Sequence, residues 1–311
     1  MGGKAMSSKK DDPRLRDLLQ EAPQTFYFSL LGYPDDEGIL INKGRPGAKE
    51  GPDKIREYLY RMTPPLSLSS NFSLKDHGNI DTSLSLWDRH KEAQKKVSSL
   101  LKIPHNLPIT LGGGHDYAYP DGAAFLETFQ DNPLVINFDA HLDVRPVPPE
   151  GPSSGTPFFR LLNEDIPFTF YEIGIQEQCN SQAHLQWCLE KKVRVITHNE
   201  ILHSNKSLSS LVCQNMGEDL LKPRPTFISI DIDAFSSSYA MGCSQSWPSG
   251  LNPDEFLKLF SILVQRLDVK LLGIYEVSPP LDFDGLTSKL AALIIHHYIQ
   301  ASLIKKKGTS L

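Results

Sequence analysis

His115, Asp139, His141, Asp143, Asp231 and Asp233 all stand where an apolar run stops, in Leu111-Gly112-Gly113-Gly114-His115, Asn137-Phe138-Asp139-Ala140-His141-Leu142-Asp143 and Ser229-Ile230-Asp231-Ile232-Asp233. Alone, each run is bland: a glycine triplet is a turn, and an Asp-x-Asp pair caps a helix or faces solvent. Together they offer four carboxylates and two imidazoles, and carboxylates gathered in one place repel unless cations hold them. In an extended segment side chains alternate, so Asp139, His141 and Asp143 are expected on one side of their strand end, and Asp231 and Asp233 on one side of theirs. An oxygen-rich donor set with few imidazoles suits Mn²⁺ better than Zn²⁺. Two divalent ions carry +4 against −4 on these four carboxylates, so the count points to a pair of Mn²⁺ per chain. Such a pair, about 3.5–4 Å apart, holds a bridging water and lowers its pKa enough to give hydroxide near neutral pH. The chemistry is metal-assisted hydrolysis.

Strands that end together must position these groups. Short runs rich in β-branched and aromatic residues predict strands over 26–31, 108–111, 134–138, 168–173, 193–196, 226–232 and 271–277. Helical periodicity fits 52–61, 86–101, 121–129, 181–191, 253–267 and 286–304. The alternation is that of an α/β fold with a mainly parallel sheet, and strands apolar nearly throughout are covered on both faces. In such folds the ligand sits beyond the carboxyl ends of the strands. No repeat or long linker divides the chain, so one domain is expected over 23–311, after a flexible segment over 1–22.

The chain has 311 residues, with 37 Asp and Glu against 32 Lys and Arg, a net charge of −5. That balance leaves no basic footprint for nucleic acid or an anionic membrane. No apolar run approaches a membrane span, and the start is too polar for a signal peptide. The expectation is a soluble, cytoplasmic protein with a small-molecule substrate. Cys179, Cys188, Cys213 and Cys243 lack CxxC spacing, which argues against a disulfide framework or structural zinc and for buried thiols.

Taken in order, the three motifs resemble those of the arginase/agmatinase (ureohydrolase) family. The resemblance runs from about Phe26 through Gly32-Tyr33-Pro34-Asp35-Asp36-Glu37-Gly38, Asn42-Lys43-Gly44-Arg45-Pro46-Gly47-Ala48, Ser153-Ser154-Gly155-Thr156-Pro157-Phe158 and Tyr275-Glu276-Val277-Ser278-Pro279-Pro280. It implies a three-layer α/β/α fold, a binuclear manganese centre and a homo-oligomer. On the family pattern Asp139 and Asp231 bridge the metals, His115 and Asp143 complete one, and His141 and Asp233 the other.

Within that family, arginases carry an Asn two residues past the last Asp of the second motif, where this chain has Arg145. Their Ser-Gly-Asn-x-His run falls on Ser154-Gly155-Thr156-Pro157-Phe158, so the histidine that shuttles protons in arginases is missing. That departure resembles the branch acting on N-formimino-L-glutamate, which yields L-glutamate and formamide. The planar fork of Arg145 suits a substrate carboxylate. Ser154, the Gly155 backbone, Thr156 and Asn180 are expected to add donors. The resemblance gives Glu276 the amidine-type group to hold, and Asp233 or metal-held solvent the proton for the leaving nitrogen. Agmatinase, guanidino-acid hydrolase or arginase-like activity, and a catalytically silent metal-binding member, stand as alternatives. Met241, Gln245 and Trp247 make an unusual pocket wall. Arg45, Asp36 and Glu37 read as loop residues, and the His296-His297 pair is assigned no chemistry.

Overall fold

A run apolar but for one residue, such as Leu134–Phe138 with its Asn137, is satisfied only between two helical layers. It lies between two such layers in the computed structural model, which describes residues 12–19, 27–65 and 72–308. Eight strands form one sheet: β1 (Tyr27–Gly32), β2 (Ser73–Asn79), β3 (Asn106–Leu111), β4 (Leu134–Phe138), β5 (Thr169–Ile175), β6 (Arg194–Thr197), β7 (Pro225–Asp231) and β8 (Asp268–Tyr275). Every pairing is parallel, in the order β2-β1-β3-β8-β7-β4-β5-β6. The helices are α1 (Glu37–Ile41), α2 (Gly51–Leu59), α3 (Leu86–Leu101), α4 (Ala118–Thr128), α5 (Pro157–Leu161), α6 (Gln182–Glu190), α7 (His198–His203), α8 (Leu208–Met216), α9 (Pro253–Arg266) and α10 (Leu286–Gly308).

Alternate strand residues feed two cores. Leu30, Ile136, Ile228 and Leu272 pack with α2, α8, α9 and α10, while Leu31, Val135, Phe227 and Leu271 pack with α3, α4 and α5. This is the expected three-layer α/β/α architecture. Local chemistry sets the helix starts: Asn252 accepts from the backbone N–H groups of Asp254 and Glu255, ahead of Pro253 at the first helical position.

The structure adds one strand to the seven expected. β2 (SLKDHGN) is polar because it is an edge strand with a half-exposed face, so no apolar run announces it. Helices α1, α5, α7 and α8 were likewise not anticipated; all four span nine residues or fewer, too short for a clear period. Of the N-terminal segment, Leu15 is buried and its N–H donates to Met62 O at 2.8 Å, whereas 1–11 and 20–22 lie outside the described residues, as does Phe26. Among the described residues no helix is long and apolar enough to cross a membrane.

What matters for chemistry is the middle of the sheet. The chain runs from β3 to β4 past two positions that β7 and β8 later fill, so β3, β8, β7 and β4 are consecutive neighbours. Their carboxyl ends open into one crevice where the strand order switches. His115, Glu276, Asp231 with Asp233, and Asp139 to Asp143 sit at or just past those four ends.

Candidate metal centre

The ligand-type side chains converge, but not by strand alternation. β4 stops at Phe138 and Asp143 has φ 48°, while β7 stops at Asp231 and 232–234 form a 3-10 turn. The period-two expectation is corrected: the backbone coils at each strand end, so its N–H groups fold back onto the carboxylates. His141 N donates to Asp139 Oδ1 at 2.6 Å, Asp233 N to Asp231 Oδ1 at 2.9 Å, and Ala140 N to Asp233 Oδ1 at 3.3 Å. His115 opens a turn after the glycine triplet. A Cβ on Gly113 would lie 1.7 Å from Asp35 O, so this loop needs glycine for close backbone approach.

Three carboxylate oxygens surround one ring nitrogen. His115 Nδ1 lies 2.8 Å from Asp143 Oδ2, 3.0 Å from Asp139 Oδ2 and 3.3 Å from Asp231 Oδ2. A second group forms at His141 Nδ1, 3.0 Å from Asp233 Oδ2 and 3.5 Å from Asp139 Oδ1. Within each group one ligand atom per residue lies within 4.8 Å of the others. Asp139 therefore turns one oxygen to each group. Asp231 joins the first, and its other oxygen accepts from Asp233 N.

Ser229 Oγ lies 2.9 Å from His115 Nε2; with Nε2–H donating to it, Nδ1 faces the carboxylates, donating its N–H when the ring is charged and offering a lone pair when a cation takes that proton's place. Burial opposes a charge on His115, but hydrogen bonds to Asp139, Asp143 and Asp231 prevail and raise its pKa well above the ordinary imidazole value. His141 is raised too, with burial outweighed by the Asp233 charge and the bonds to Asp139 and Asp233. Burial and then neighbouring carboxylates push Asp231 well up and Asp143 up to about 6. Asp139 is buried as well, yet the two imidazoles hold it well below the carboxylate range. The cluster is short of positive charge, and imidazole protons make up part of it. A divalent cation in each group would replace those protons, and four carboxylates with two imidazoles fit a hard, oxygen-preferring ion such as Mn²⁺.

Glu276 follows β8 with φ 66°, a costly backbone for a residue with a side chain. Its N–H donates to Gly113 O at 2.8 Å, and its Oε1 accepts from His115 N at 3.0 Å. Oε2 is buried without a partner. Burial and then the charge of Asp231 raise its pKa well above the usual value.

A cavity of about 260 Å³ joins these groups to the predicted substrate residues. His141, Asp143, Asp231, Asp233 and Glu276 line it, and so do Arg145, Asn42 and Ser154. Arg145 Nη1 donates to Asn42 Oδ1 at 3.1 Å, and Asn42 Nδ2 donates to Ser154 Oγ at 3.0 Å. Gly155 backs the arginine: its carbonyl accepts from Arg145 N, and a Cβ would meet Arg145 Cδ at 3.0 Å. Two expected donors are not free for a substrate. Thr156 is buried, with its hydroxyl donating to Ser153 O at 2.8 Å and accepting from Ser153 N at 3.0 Å. Asn180 borders the cavity, but its amide accepts from Leu142 N at 2.8 Å and donates to Ala140 O at 2.9 Å and Gln176 O at 2.8 Å. It holds the loop that carries His141.

Several lining residues escaped the sequence reading. Asn42, His184, Ser244 and Cys179 border the cavity; for Cys179 the signal was its place just past β5. All four cysteines are free, with Cys188 and Cys243 buried and Cys179 and Cys213 half-buried, so the expectation of four buried thiols is corrected for the latter two. Gln245 and Trp247 do form a wall, whereas Met241 is outside it. Arg45 pins that wall from below, donating through Nε to Ser244 O at 2.9 Å and through Nη2 to Cys243 O at 3.0 Å.

Residues 26–300 match the Arginase family. The formimidoylglutamase of Streptococcus pyogenes serotype M12 is 33% identical over 286 residues, covering 88% of this chain and 84% of its own length. The solved structure of formimidoylglutamase from Bacillus subtilis matches with a TM-score of 0.87 at 29% identity, over 98% of this chain and 96% of that one. Trypanosoma cruzi formiminoglutamase, solved with Mn²⁺, matches with a TM-score of 0.84 at 29% identity, over 94% of this chain and 99% of that one.

Proposed function

The chain belongs to the arginase family, and from that premise we propose that it is a Mn²⁺-dependent hydrolase converting N-formimino-L-glutamate and water into L-glutamate and formamide. The observation that carries the reading is the single cavity in which both ligand groups and Glu276 share walls with Arg145. His115, Asp139, Asp143 and Asp231 would hold one ion and Asp139, His141 and Asp233 the other. Bound there, the pair supplies an acidified water and Lewis-acid polarisation of the formimino group.

The chain's own groups do the rest. Arg145 binds a substrate carboxylate through its fork, with Ser154 and Asn42 beside it. Glu276, fixed through Oε1 by His115 N–H, offers Oε2 to the protonated formimino group. That carboxylate orients the group and stabilises positive charge beside the reacting carbon. The water oxygen bonds to the formimino carbon, the bond from that carbon to the glutamate nitrogen breaks, and the nitrogen leaves carrying an added proton. Asp233, on the cavity wall, is the carrier we assign to that proton. The family reading also carries self-association into a homo-oligomer, which light scattering would measure.

The test is glutamate release from N-formimino-L-glutamate by the Mn²⁺-reconstituted chain, beside arginine and agmatine. Selective turnover of the first supports the reading. Turnover of arginine or agmatine instead, or of none with two Mn²⁺ bound, overturns the assigned substrate.

A further inference from the structure

β4 and β5 are neighbours in the sheet, and their register sets Asn137 beside Glu172. Both are fully buried. Asn137 Nδ2 donates to two carboxyl groups, Glu172 Oε2 at 2.9 Å and Asp139 Oδ2 at 3.2 Å. The latter is the oxygen that Asp139 turns toward His115. Glu172 Oε1 and Asn137 Oδ1 have no partner. A buried carboxyl served by one amide costs stability, and an apolar side chain like the neighbouring Ile173 would fill the same strand position without that cost.

We infer that Glu172 is a positioning residue for the metal centre, acting on Asp139 through Asn137; the inference rests on the two-metal reading above. The terminal torsion of an Asn side chain is broad, with two nearly equivalent orientations of the amide. Turned over, the amide would present Oδ1 to Asp139, and carbonyl and carboxylate lone pairs would repel. One acceptor favours the correct orientation; a second carboxyl on the same side enforces it. Glu172 thereby keeps an N–H on Asp139 Oδ2, which holds that oxygen where the first ligand group needs it. Partners of this kind set metal affinity by about 10- to 100-fold.

The experiment compares the full chain with Glu172→Leu, Glu172→Gln, Asn137→Leu and the Glu172→Leu/Asn137→Leu pair. Mn²⁺ affinity is measured by titration calorimetry, the electron paramagnetic resonance spectrum of the bound ions is recorded, and the melting temperature is taken without metal. Glu172→Leu and Asn137→Leu are each expected to weaken Mn²⁺ binding by about 10- to 100-fold; the metal-free melting temperature should be unchanged or raised in Glu172→Leu, and lowered in Asn137→Leu, which leaves the buried Glu172 carboxyl with no partner. The double variant should be no weaker than the worse single one, because both act through one hydrogen bond. Glu172→Gln keeps an oxygen acceptor facing Asn137 and should restore affinity and spectrum. Parent-like Mn²⁺ affinity in Glu172→Leu, or a Glu172→Gln variant as weak as Glu172→Leu, overturns the inference. If Glu172→Leu does not fold, Glu172→Met and Asn137→Leu decide by the same criteria. A parent chain that binds no Mn²⁺ sinks the functional reading, and the inference with it.

Discussion

Replacing Arg145 by Ala is expected to raise KM for N-formimino-L-glutamate by about 10- to 100-fold and to leave kcat near the parent value. Arg145 stands exposed at the cavity and holds only Asn42 Oδ1, at 3.1 Å, so its bond to a substrate carboxylate forms in partly solvated surroundings. A charge-assisted hydrogen bond there contributes about 1.5–3 kcal/mol, and each 1.36 kcal/mol is about tenfold. The contact lies on the substrate's glutamate portion, away from the formimino carbon. Its loss therefore weakens ground state and transition state alike, which appears in KM. Arg145 is in neither ligand group, so Mn²⁺ content should hold, and Asn42 keeps its bond to Ser154. Arg145→Lys, a point charge without the fork, should fall between the two. Steady-state glutamate release, with Mn²⁺ measured on the same samples, is the assay. A fall in kcat at unchanged KM would refute the reasoning, as would no change in either.

Asp139→Ala removes one oxygen from each ligand group, so neither Mn²⁺ should survive gel filtration; elemental analysis finding both would contradict the shared role. Glu276→Gln preserves shape and deletes charge, and is expected to lower kcat by about a hundredfold with Mn²⁺ content unchanged, measured by single-turnover kinetics. Asp121 accepts the hydroxyls of Tyr33, Thr110 and Tyr275 at 2.5, 2.6 and 2.5 Å, so Asp121→Ala strands buried donors and should cost about 3 kcal/mol of stability. Burial raises the Asp121 pKa to about 6; a raised carboxyl stabilises the fold most at low pH and loses that contribution as pH rises through about 6. Denaturant melts of the metal-free chain should accordingly show a larger penalty near pH 5 than near pH 7.5, and an equal or reversed penalty would be inconsistent with this account.

Residue type and order alone carried the candidate ligand set, because His115, Asp139, His141, Asp143, Asp231 and Asp233 are unusual at the ends of apolar runs and carboxylates gathered there call for cations. The doubly covered strands were legible for a similar reason: Leu134–Phe138 is apolar but for Asn137 and so has no face suited to solvent. Polar β2 was not, since an edge strand owes its structure to its neighbour β1 rather than to its own pattern. Which donors remain available also lay outside the sequence. Thr156 and Asn180 read like substrate contacts until the fold showed their polar atoms taken by backbone. Glu172 belongs to no motif, and its link to Asp139 through Asn137 exists because β5 lies beside β4 in one register. Sequence determines which charges must be compensated, since charge and apolar period belong to the residues themselves. Tertiary structure decides which atoms meet, because hydrogen bonds reach only about 3 Å and that proximity is set by strand order and turn geometry across residues far apart in the chain.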